Sequence, residues 1–360
     1  MKKRICIVAG EASADKHAAG VLRALREMVP EVEAFGMGGP ELKAAGMECL
    51  YGTGELSVMG FSDVAPRIRH IFSVFKGLLK AIEERRPAVV MPVDLPDFNM
   101  RLAGKARRLG SKVLYYIAPQ AWAWRRYRAA TLAKITDGLA VIFPFEEGFF
   151  SSYGVNVRYV GNPCMEDPDV GTSPSWPPGN VLMMPGSRRQ ELETILPLMC
   201  AAKRIVQGRH RDLAWHMRIA PGIDGRRLEE RIDDDIVLTR EMPPADLAMV
   251  KSGTSSFEMA VAGIPEVICY RTSGLNYRLA RAFVTIDHIG MPNIILGKTA
   301  VPELIQEDFT PENLALELLR FIEDEDRFRR MQHDFALLRE KLGSGSASRG
   351  VASWIRDMIT

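Results

Sequence analysis

The stretch AVVMPVDLPDFN, Ala88–Asn99, decides how this chain folds. Its first half, Ala88–Val93, is a short apolar run bounded by prolines and is typical of a buried parallel strand. Its second half places Asp94 and Asp97 on either side of a proline, where such a strand ends. Because ligands bind outside the carboxyl ends of the strands in an open α/β sheet, a partly buried carboxylate at this place can take a proton from a hydroxyl.

The two aspartates differ in how well a purely structural role fits them. A helix is expected to begin near Asn99, so Asp97 is either the cap of that helix or a functional residue, and the sequence leaves both interpretations open. Asp94 comes too early to cap the same helix. We therefore favour a functional role for Asp94.

Composition and charge narrow the class of protein. The chain has 360 residues, of which 47% are hydrophobic and 26% charged, as expected for a globular protein of about two domains. Its formal net charge of +2 gives no support for a nucleic-acid-binding protein. The five scattered cysteines show no metal-ligand spacing, and no apolar run has the length of a signal peptide or a membrane-spanning helix. We therefore predict a cytoplasmic chain with no metal and no cofactor.

Short apolar runs alternate with helical patterns on both sides of a connection rich in proline and glycine, Gly161–Gly179. Such alternation predicts an α/β architecture with parallel sheets. We expect two doubly wound Rossmann-like domains that face a cleft, over 1–165 and 166–342. A last helix, 343–360, is expected to cross back either to the N-terminal domain or to a partner subunit.

Two loops in the second half have the chemistry of phosphate binding. Pro185–Arg188 and Ser252–Ser256 each join a predicted strand to a predicted helix, and helix N-termini point N–H donors and partial positive charge outward. Arg188 adds a guanidinium that can bind phosphate oxygens in a bidentate manner. Each loop alone is also explained as a turn with a capping hydroxyl, but two of them in one domain favour a diphosphate site. Glu258 either accepts the hydroxyls of a ribose or simply complements the dipole of its helix.

Two further segments suggest contact with lipid. Ala65–Arg86 combines apolar residues at helical spacing with basic ones, so it is either a helix with a solvated basic face or a surface for an anionic membrane or phosphorylated lipid. Ala118–Arg126 holds Trp122 and Trp124 beside arginines. Tryptophan is enriched where an apolar region meets water, as at a membrane surface, which favours lipid contact for these two residues. The alternative interpretation is that both rings are buried in the core.

Nine motifs, in order and over nearly the whole chain, resemble those of the lipid-A-disaccharide synthases. They are GEASAD (Gly10–Asp15), VMGF (Val58–Phe61), DLPDFN (Asp94–Asn99), APQAWAWR (Ala118–Arg125), FPFE (Phe143–Glu146), PGSR (Pro185–Arg188), SGTSSFE (Ser252–Glu258), PNII (Pro292–Ile295) and VPEL (Val301–Leu304). Two positions depart from the family pattern: Ala14 stands where glycine is usual, and Asn162 where histidine is usual.

The resemblance implies an inverting glycosyltransferase of the two-Rossmann GT-B architecture. It implies a UDP-activated diacylglucosamine donor, a diacylglucosamine 1-phosphate acceptor (lipid X), and Asp94 as the base that deprotonates the acceptor. It also implies attachment to the anionic inner-membrane surface, a homodimer through the C-terminal region, and no nucleic acid. Predicted contacts with the nucleotide sugar are Gly186, Ser187, Arg188, Ser252, Gly253, Thr254, Glu258 and Asn293. Predicted contacts with the acceptor, its lipid or the membrane are Glu11, Ser13, Met59, Phe61, Phe72, Phe75, Trp122, Trp124 and Arg125.

Two alternatives remain from the residues themselves. A UDP-sugar 2-epimerase uses the same architecture, but it acts on a water-soluble sugar and needs no apolar acceptor surface. A non-catalytic module that binds sugar nucleotides needs the phosphate loops but not Asp94.

Overall fold

A computed structural model of the chain describes residues 3–56, 64–166, 173–219, 223–274, 277 and 287–360. These residues form two compact units, one of Met1–Glu166 with Ser344–Thr360 and one of Asp167–Gly343. Each unit is a parallel sheet with helices, so the prediction of two doubly wound α/β domains is confirmed. Among the described residues, no helix is both long and apolar enough to cross a bilayer.

The N-terminal unit is built on a seven-stranded parallel sheet in the order β3-β2-β1-β4-β5-β6-β7. Its strands are β1 (Arg4–Ala9), β2 (Glu33–Met37), β3 (Glu48–Tyr51), β4 (Val89–Val93), β5 (Lys112–Tyr116), β6 (Gly138–Val141) and β7 (Val157–Tyr159). Its first six helices are α1 (Ala12–Met28), α2 (Pro40–Ala44), α3 (Val64–Arg85), α4 (Pro96–Arg108), α5 (Tyr127–Ile135) and α6 (Pro144–Ser151). The helix expected near Asn99 therefore begins at Pro96, a residue that suits the first turn because it lacks an N–H.

Strand register brings two predicted motifs of this unit together. Val93, the last residue of β4, pairs with Ala9 on one side and with Tyr116 on the other. The loops that follow β1, β4 and β5 therefore leave the same edge of the sheet as neighbours. They carry the GEASAD motif, Asp94 and the tryptophan motif.

The C-terminal unit repeats the plan with six parallel strands in the order β10-β9-β8-β11-β12-β13. Its strands are β8 (Asn180–Met184), β9 (Ala214–Arg218), β10 (Ile236–Thr239), β11 (Leu247–Lys251), β12 (Glu266–Tyr270) and β13 (Glu303–Ile305). Its helices are α7 (Arg189–Gln207), α8 (Gly225–Glu229), α9 (Thr254–Ala262), α10 (Met291–Leu296), α11 (Pro311–Glu323) and α12 (Glu325–Leu342). Because β8 lies between β9 and β11, the two predicted phosphate loops follow adjacent strands.

The chain ends in a helix that belongs to the N-terminal unit, α13 (Ala347–Ile359). Its Val351, Ala352, Trp354 and Ile355 are buried in the same core as α1 and β1. Glu166 fixes the start of this helix, since its carboxylate accepts hydrogen bonds from the Ser346 hydroxyl (2.7 Å), the Ser348 hydroxyl (2.6 Å) and the Ser348 N–H (2.8 Å).

Candidate active site

Asp94 follows β4 directly and lies at the carboxyl edge of the sheet, as predicted. Its main-chain N–H donates to the carbonyl oxygen of Tyr116 at 3.0 Å. Burial raises the pKa of its carboxyl, the negative charge of Glu11 adds to that effect, and the N–H of Leu95 opposes it. A carboxylate whose pKa lies above its usual range is a better proton acceptor near neutral pH than an exposed one.

The backbone at Asp94 has an unusual conformation. Asp94 (φ 51°) and Leu95 (φ 50°) both lie in the left-handed region, which L-residues other than glycine rarely adopt. The carbonyl oxygen of Asp94 accepts two hydrogen bonds, from the Tyr115 hydroxyl at 2.7 Å and from the Asn99 side-chain amide at 2.8 Å. Both donors are fully buried. Sequence reasoning did not single out either one, because a tyrosine in a strand and an asparagine in a helix each fit an ordinary core position.

Asp97 has a role that neither sequence interpretation anticipated. The cap of α4 is Leu95 and makes no side-chain capping bond, so the interpretation of Asp97 as the cap is wrong. Its carboxylate instead binds the guanidinium of Arg128 and lies 3.7 Å from that of Arg125. Both guanidinium groups lie over the ring of Trp124, at 4.2 Å for Arg125 and 5.5 Å for Arg128. Asp97 therefore ties the start of α4 to the tryptophan loop.

The two tryptophans of that loop have different environments. Trp124 is 39% exposed, whereas Trp122 is 8% exposed. The Trp122 indole N–H donates to Glu146 at 3.0 Å, and its ring packs edge to face on Phe145 with 5.0 Å between centroids. This corrects the prediction that Trp122 offers its ring to lipid: burial and a satisfied N–H make it a support of the loop.

Glu146, of the FPFE motif, is the polar centre of this support. Its carboxylate accepts hydrogen bonds from Trp122 and from the N–H groups of Ile142 and Phe143. Burial raises its pKa to about 7 in spite of these three donors. The sequence gives no signal for this role, because a glutamate in the first turn of a helix is ordinary.

The remaining predicted lipid contacts fall into three groups. Phe72 on α3 is 54% exposed, and Phe75 packs edge to face on Phe98 at 5.4 Å, so only Phe72 presents most of its ring to solvent. Glu11 and Ser13 are exposed at the start of α1. Met59 and Phe61 lie outside the described residues.

The first phosphate loop differs from the prediction in one respect. We expected its N–H groups to be available, but those of Ser187 and Arg188 donate to Oε2 of Glu191 at 3.1 and 3.2 Å. Lys251, the last residue of β11, places its ammonium 3.0 Å from Oε1 of the same carboxylate. Gly186 (φ 115°) is required here, because a Cβ would lie 2.5 Å from Glu191. An internal anion therefore occupies the two amides, whereas Ser187 is exposed and the Arg188 side chain is 78% exposed.

The second phosphate loop keeps its predicted form. Gly253 precedes α9 in a conformation that favours glycine (φ 155°), and Gly253 and Thr254 are both exposed. Ser252 donates its hydroxyl to the carbonyl of Ile289 at 3.4 Å, which links this loop to the segment before α10. Glu258 is 41% exposed and accepts a hydrogen bond from Arg218 at 3.4 Å, so its carboxylate already has a cationic partner.

Asn293 does not have the role predicted for it. It is fully buried, its amide donates to Val301 and Glu303, and its oxygen accepts the N–H groups of Ala300 and Val301. With all four positions of the amide occupied inside the protein, the expected direct contact with nucleotide is replaced by support of the loop. Glu303 completes this support by accepting the N–H groups of Ile289 and Gly290 at 2.9 and 3.0 Å.

The two departures from the family pattern are accommodated locally. Ala14 is buried within the first turn of α1, where alanine suits the helix. Asn162 is buried, donates to the carbonyl of Ile142 at 3.0 Å and accepts the N–H of Cys164 at 2.9 Å.

Comparison with known families identifies one whose model matches nearly the whole chain. The model of the lipid-A-disaccharide synthetase family matches residues 5–353. The lipid-A-disaccharide synthase of Anaeromyxobacter dehalogenans is 42% identical over 340 residues, which cover 89% of this chain and 88% of that protein. The synthase of Geobacter sulfurreducens is 37% identical over 373 residues, which cover 99% of this chain and 97% of that protein.

Solved structures share the fold at much lower identity. The UDP-GlcNAc 2-epimerase of Neisseria meningitidis, bound to UDP-GlcNAc, has a TM-score of 0.67 at 11% identity and covers 98% of this chain and 100% of that chain. The glycotransferase of kitacinnamycin has a TM-score of 0.63 at 15% identity and covers 99% of this chain and 98% of that chain. At these identities the likeness shows the two-domain Rossmann-like fold of GT-B glycosyltransferases and epimerases and nothing finer.

Proposed function

Because the chain belongs to the lipid-A-disaccharide synthetase family, it is a glycosyltransferase of lipid A disaccharide synthesis, and we propose which groups carry the reaction. The donor is the UDP derivative of 2,3-diacylglucosamine and the acceptor is 2,3-diacylglucosamine 1-phosphate. The products are the β-1,6-linked disaccharide 1-phosphate and UDP.

Asp94 is the general base of this proposal. Its carboxylate takes the proton of the acceptor 6-hydroxyl, the hydroxyl oxygen forms a bond to C1 of the donor sugar, and the bond from C1 to the diphosphate breaks. The bonding electrons leave with UDP, and the configuration at C1 inverts. The observation that carries the assignment is the placement of Asp94 directly after β4, at the carboxyl edge of the sheet, with a pKa raised by burial.

The second unit supplies the donor side. The N-terminus of α9 at Gly253 and Thr254 and the exposed guanidinium of Arg188 are suited to the diphosphate, since both present positive charge to solvent. Glu258 is suited to the ribose hydroxyls. Gly186, Ser187 and Ser252 stay proposed contacts with the nucleotide sugar, and Asn293 acts by supporting its loop.

The epimerase alternative is not favoured. The family model and the curated relatives agree on the synthase, whereas the likeness to epimerases is one of fold. The non-catalytic alternative leaves Asp94 without a use.

The decisive experiment for the reaction uses both diacylated sugars in detergent. Mass spectrometry of the disaccharide and the release of UDP are followed with each sugar omitted in turn. In Asp94→Asn, which keeps the size of the side chain, we expect kcat to fall about 100-fold or more, because general-base catalysis is worth that much. UDP binding, measured by calorimetry, should be unchanged. Turnover near the wild-type rate would remove Asp94 from the mechanism.

We also propose that the N-terminal unit docks on the anionic inner membrane. The exposed rings of Phe72 and Trp124 and the guanidinium of Arg125 beside Trp124 have the mixture of apolar and cationic groups that binds such a surface. The homodimer implied by the family belongs to this proposal too, and light scattering in detergent tests it.

Trp124→Ala tests the docking surface. Burial of an indole in the interface contributes about 1 to 2 kcal/mol, so we expect binding to vesicles containing phosphatidylglycerol to weaken about tenfold while the melting temperature stays the same. Val237→Ala is the matched control, since Val237 is 56% exposed on the edge strand β10 of the other unit. Equal vesicle binding by both variants would contradict the docking surface.

A further inference from the structure

We propose that Tyr115 is a positioning residue for the base, and that its hydroxyl holds the left-handed turn that aims the Asp94 carboxylate. This inference rests on the proposed role of Asp94. Tyr115 contacts Asp94 through the main chain, so it is not itself a catalytic residue.

The conformation of Asp94 and Leu95 needs stabilising contacts from other residues. Two consecutive residues with φ near 50°, an aspartate and a leucine, are sterically unfavourable, and such conformations persist only where the surroundings determine them. The peptide that joins Asp94 to Leu95 carries the carbonyl whose orientation fixes both residues. Its oxygen is the acceptor of the Tyr115 hydroxyl at 2.7 Å.

The Tyr115 hydroxyl donates its proton to the Asp94 carbonyl, whereas the other donor to this carbonyl also serves further acceptors. The other donor, Asn99, has two N–H groups on Nδ2 and shares them among three carbonyl oxygens, those of Asp94 (2.8 Å), Val93 (3.1 Å) and Val8 (3.3 Å). The hydroxyl of Tyr115 has one proton, and Asp94 is the acceptor that the structure gives it. Removal of this hydroxyl should therefore destabilise the conformation of Asp94 and Leu95 more than it destabilises the packing of the core around Tyr115.

The neighbouring residue offers a matched control. Tyr116 is also fully buried on β5, but it points into the core of α1 and α13, whereas Tyr115 points into the core of α5. The hydroxyl of Tyr116 is buried with no hydrogen-bond partner among the described residues. Tyr116→Phe thus removes the same atom from the same strand without touching Asp94.

We expect Tyr115→Phe to lower kcat about tenfold, because a small misplacement of a reacting group has effects of this size or larger. The KM values of donor and acceptor and the Kd of UDP should stay within twofold of wild type, and Tyr116→Phe should keep at least half of the wild-type kcat. All rates are normalised to the folded fraction at the assay temperature. If Tyr115→Phe is unstable at the usual assay temperature, wild type and both tyrosine variants are compared at a lower temperature at which all three are folded.

A pH profile separates positioning from general weakening of the fold. In wild type the acid limb of kcat/KM reports the free base, whose pKa burial raises. A loosened turn exposes the carboxylate, so the acid limb of Tyr115→Phe should move to lower pH, while that of Tyr116→Phe should not.

Equal kcat values and equal acid limbs for the two tyrosine variants would overturn the inference. Failure of the proposed function is seen separately: if Asp94→Asn turns over at the wild-type rate, Asp94 is not the base whatever the tyrosine variants do.

Discussion

A single carboxylate, that of Glu191, accepts two main-chain N–H groups of the first predicted phosphate loop. Glu191 fills the position at the start of α7 where an incoming anion would accept N–H groups, and it pairs with Lys251 across to the second loop. Burial opposes its ionisation, but Lys251 and the two amides outweigh burial and hold its pKa below the usual range. A diphosphate near this loop therefore meets an ionised side chain as well as the cation of Arg188.

Replacement of that charge should strengthen nucleotide binding. Glu191→Gln keeps an oxygen for the two amides, removes the repulsion and leaves Lys251 available, so the Kd of UDP should fall about threefold in dilute buffer and less in high salt, which screens these charges. Isothermal calorimetry at two ionic strengths measures it. Glu193→Gln, two residues further along α7 and exposed, is the matched control. Weaker UDP binding by a folded Glu191→Gln would contradict this account.

Single residues differ in how far their roles follow from the sequence. Asp94 was predicted because it follows an apolar run at a strand end, a local pattern. Glu303 was not, because it is an ordinary acidic residue until tertiary structure brings the N–H groups of Ile289 and Gly290 to it. The N–H groups bound by Glu191 lie only three and four residues before it, and only its pairing with Lys251 depends on the tertiary fold. Trp122 was assigned to lipid by residue type and Asn293 to nucleotide by the family resemblance, and burial in the fold gives both residues supporting roles instead.

At the scale of elements, the tryptophan loop is held from two sides. Asp97 at the start of α4 pairs with Arg125 of this loop and with Arg128 of α5, and Glu146 at the start of α6 binds the Trp122 indole. The exposed Trp124 ring therefore belongs to a loop whose conformation is fixed by the contacts of Asp97 and Glu146.

The buried carboxyl of Glu146 makes this support sensitive to pH. Its pKa rises from an ordinary 4.5 to about 7 in the folded protein, so its contribution to the free energy of unfolding is full in acid and is lost as pH rises towards 7. In Glu146→Gln this loss is absent. We expect the stability of Glu146→Gln relative to wild type to increase by about 2 to 3 kcal/mol between pH 5 and pH 8. Urea unfolding at both pH values measures the difference, and a constant difference would mean that Glu146 is ionised throughout.

Strands were predictable where both faces are buried. β4 is a continuous apolar run, predicted over Ala88–Val93 and observed over Val89–Val93. β3 and β13 were missed because each lies at the edge of its sheet, is only three or four residues long and is half exposed, so no apolar run marks it.

At the scale of the molecule, two units share one architecture, and the proposed mechanism assigns the acceptor side to the first and the donor side to the second. The alternation of strands and helices predicted both sheets, and the motifs predicted the family, which the family model confirms. The sequence did not decide where the last helix belongs, because an amphipathic helix fits a neighbouring domain or a second subunit equally well. The structure places α13 against α1.

That return has a consequence for how the protein is made. A ribosome delivers the first 166 residues long before the last 17, so the surface of α1, β4 and β5 that α13 contacts stays exposed through most of synthesis. The N-terminal unit is synthesised first, but its core is complete only when residues 344–360 have been added. An expression fragment that ends in the connection after Glu166 therefore exposes apolar core residues. A fragment intended to fold as the N-terminal unit should include residues 344–360, fused to its C-terminus.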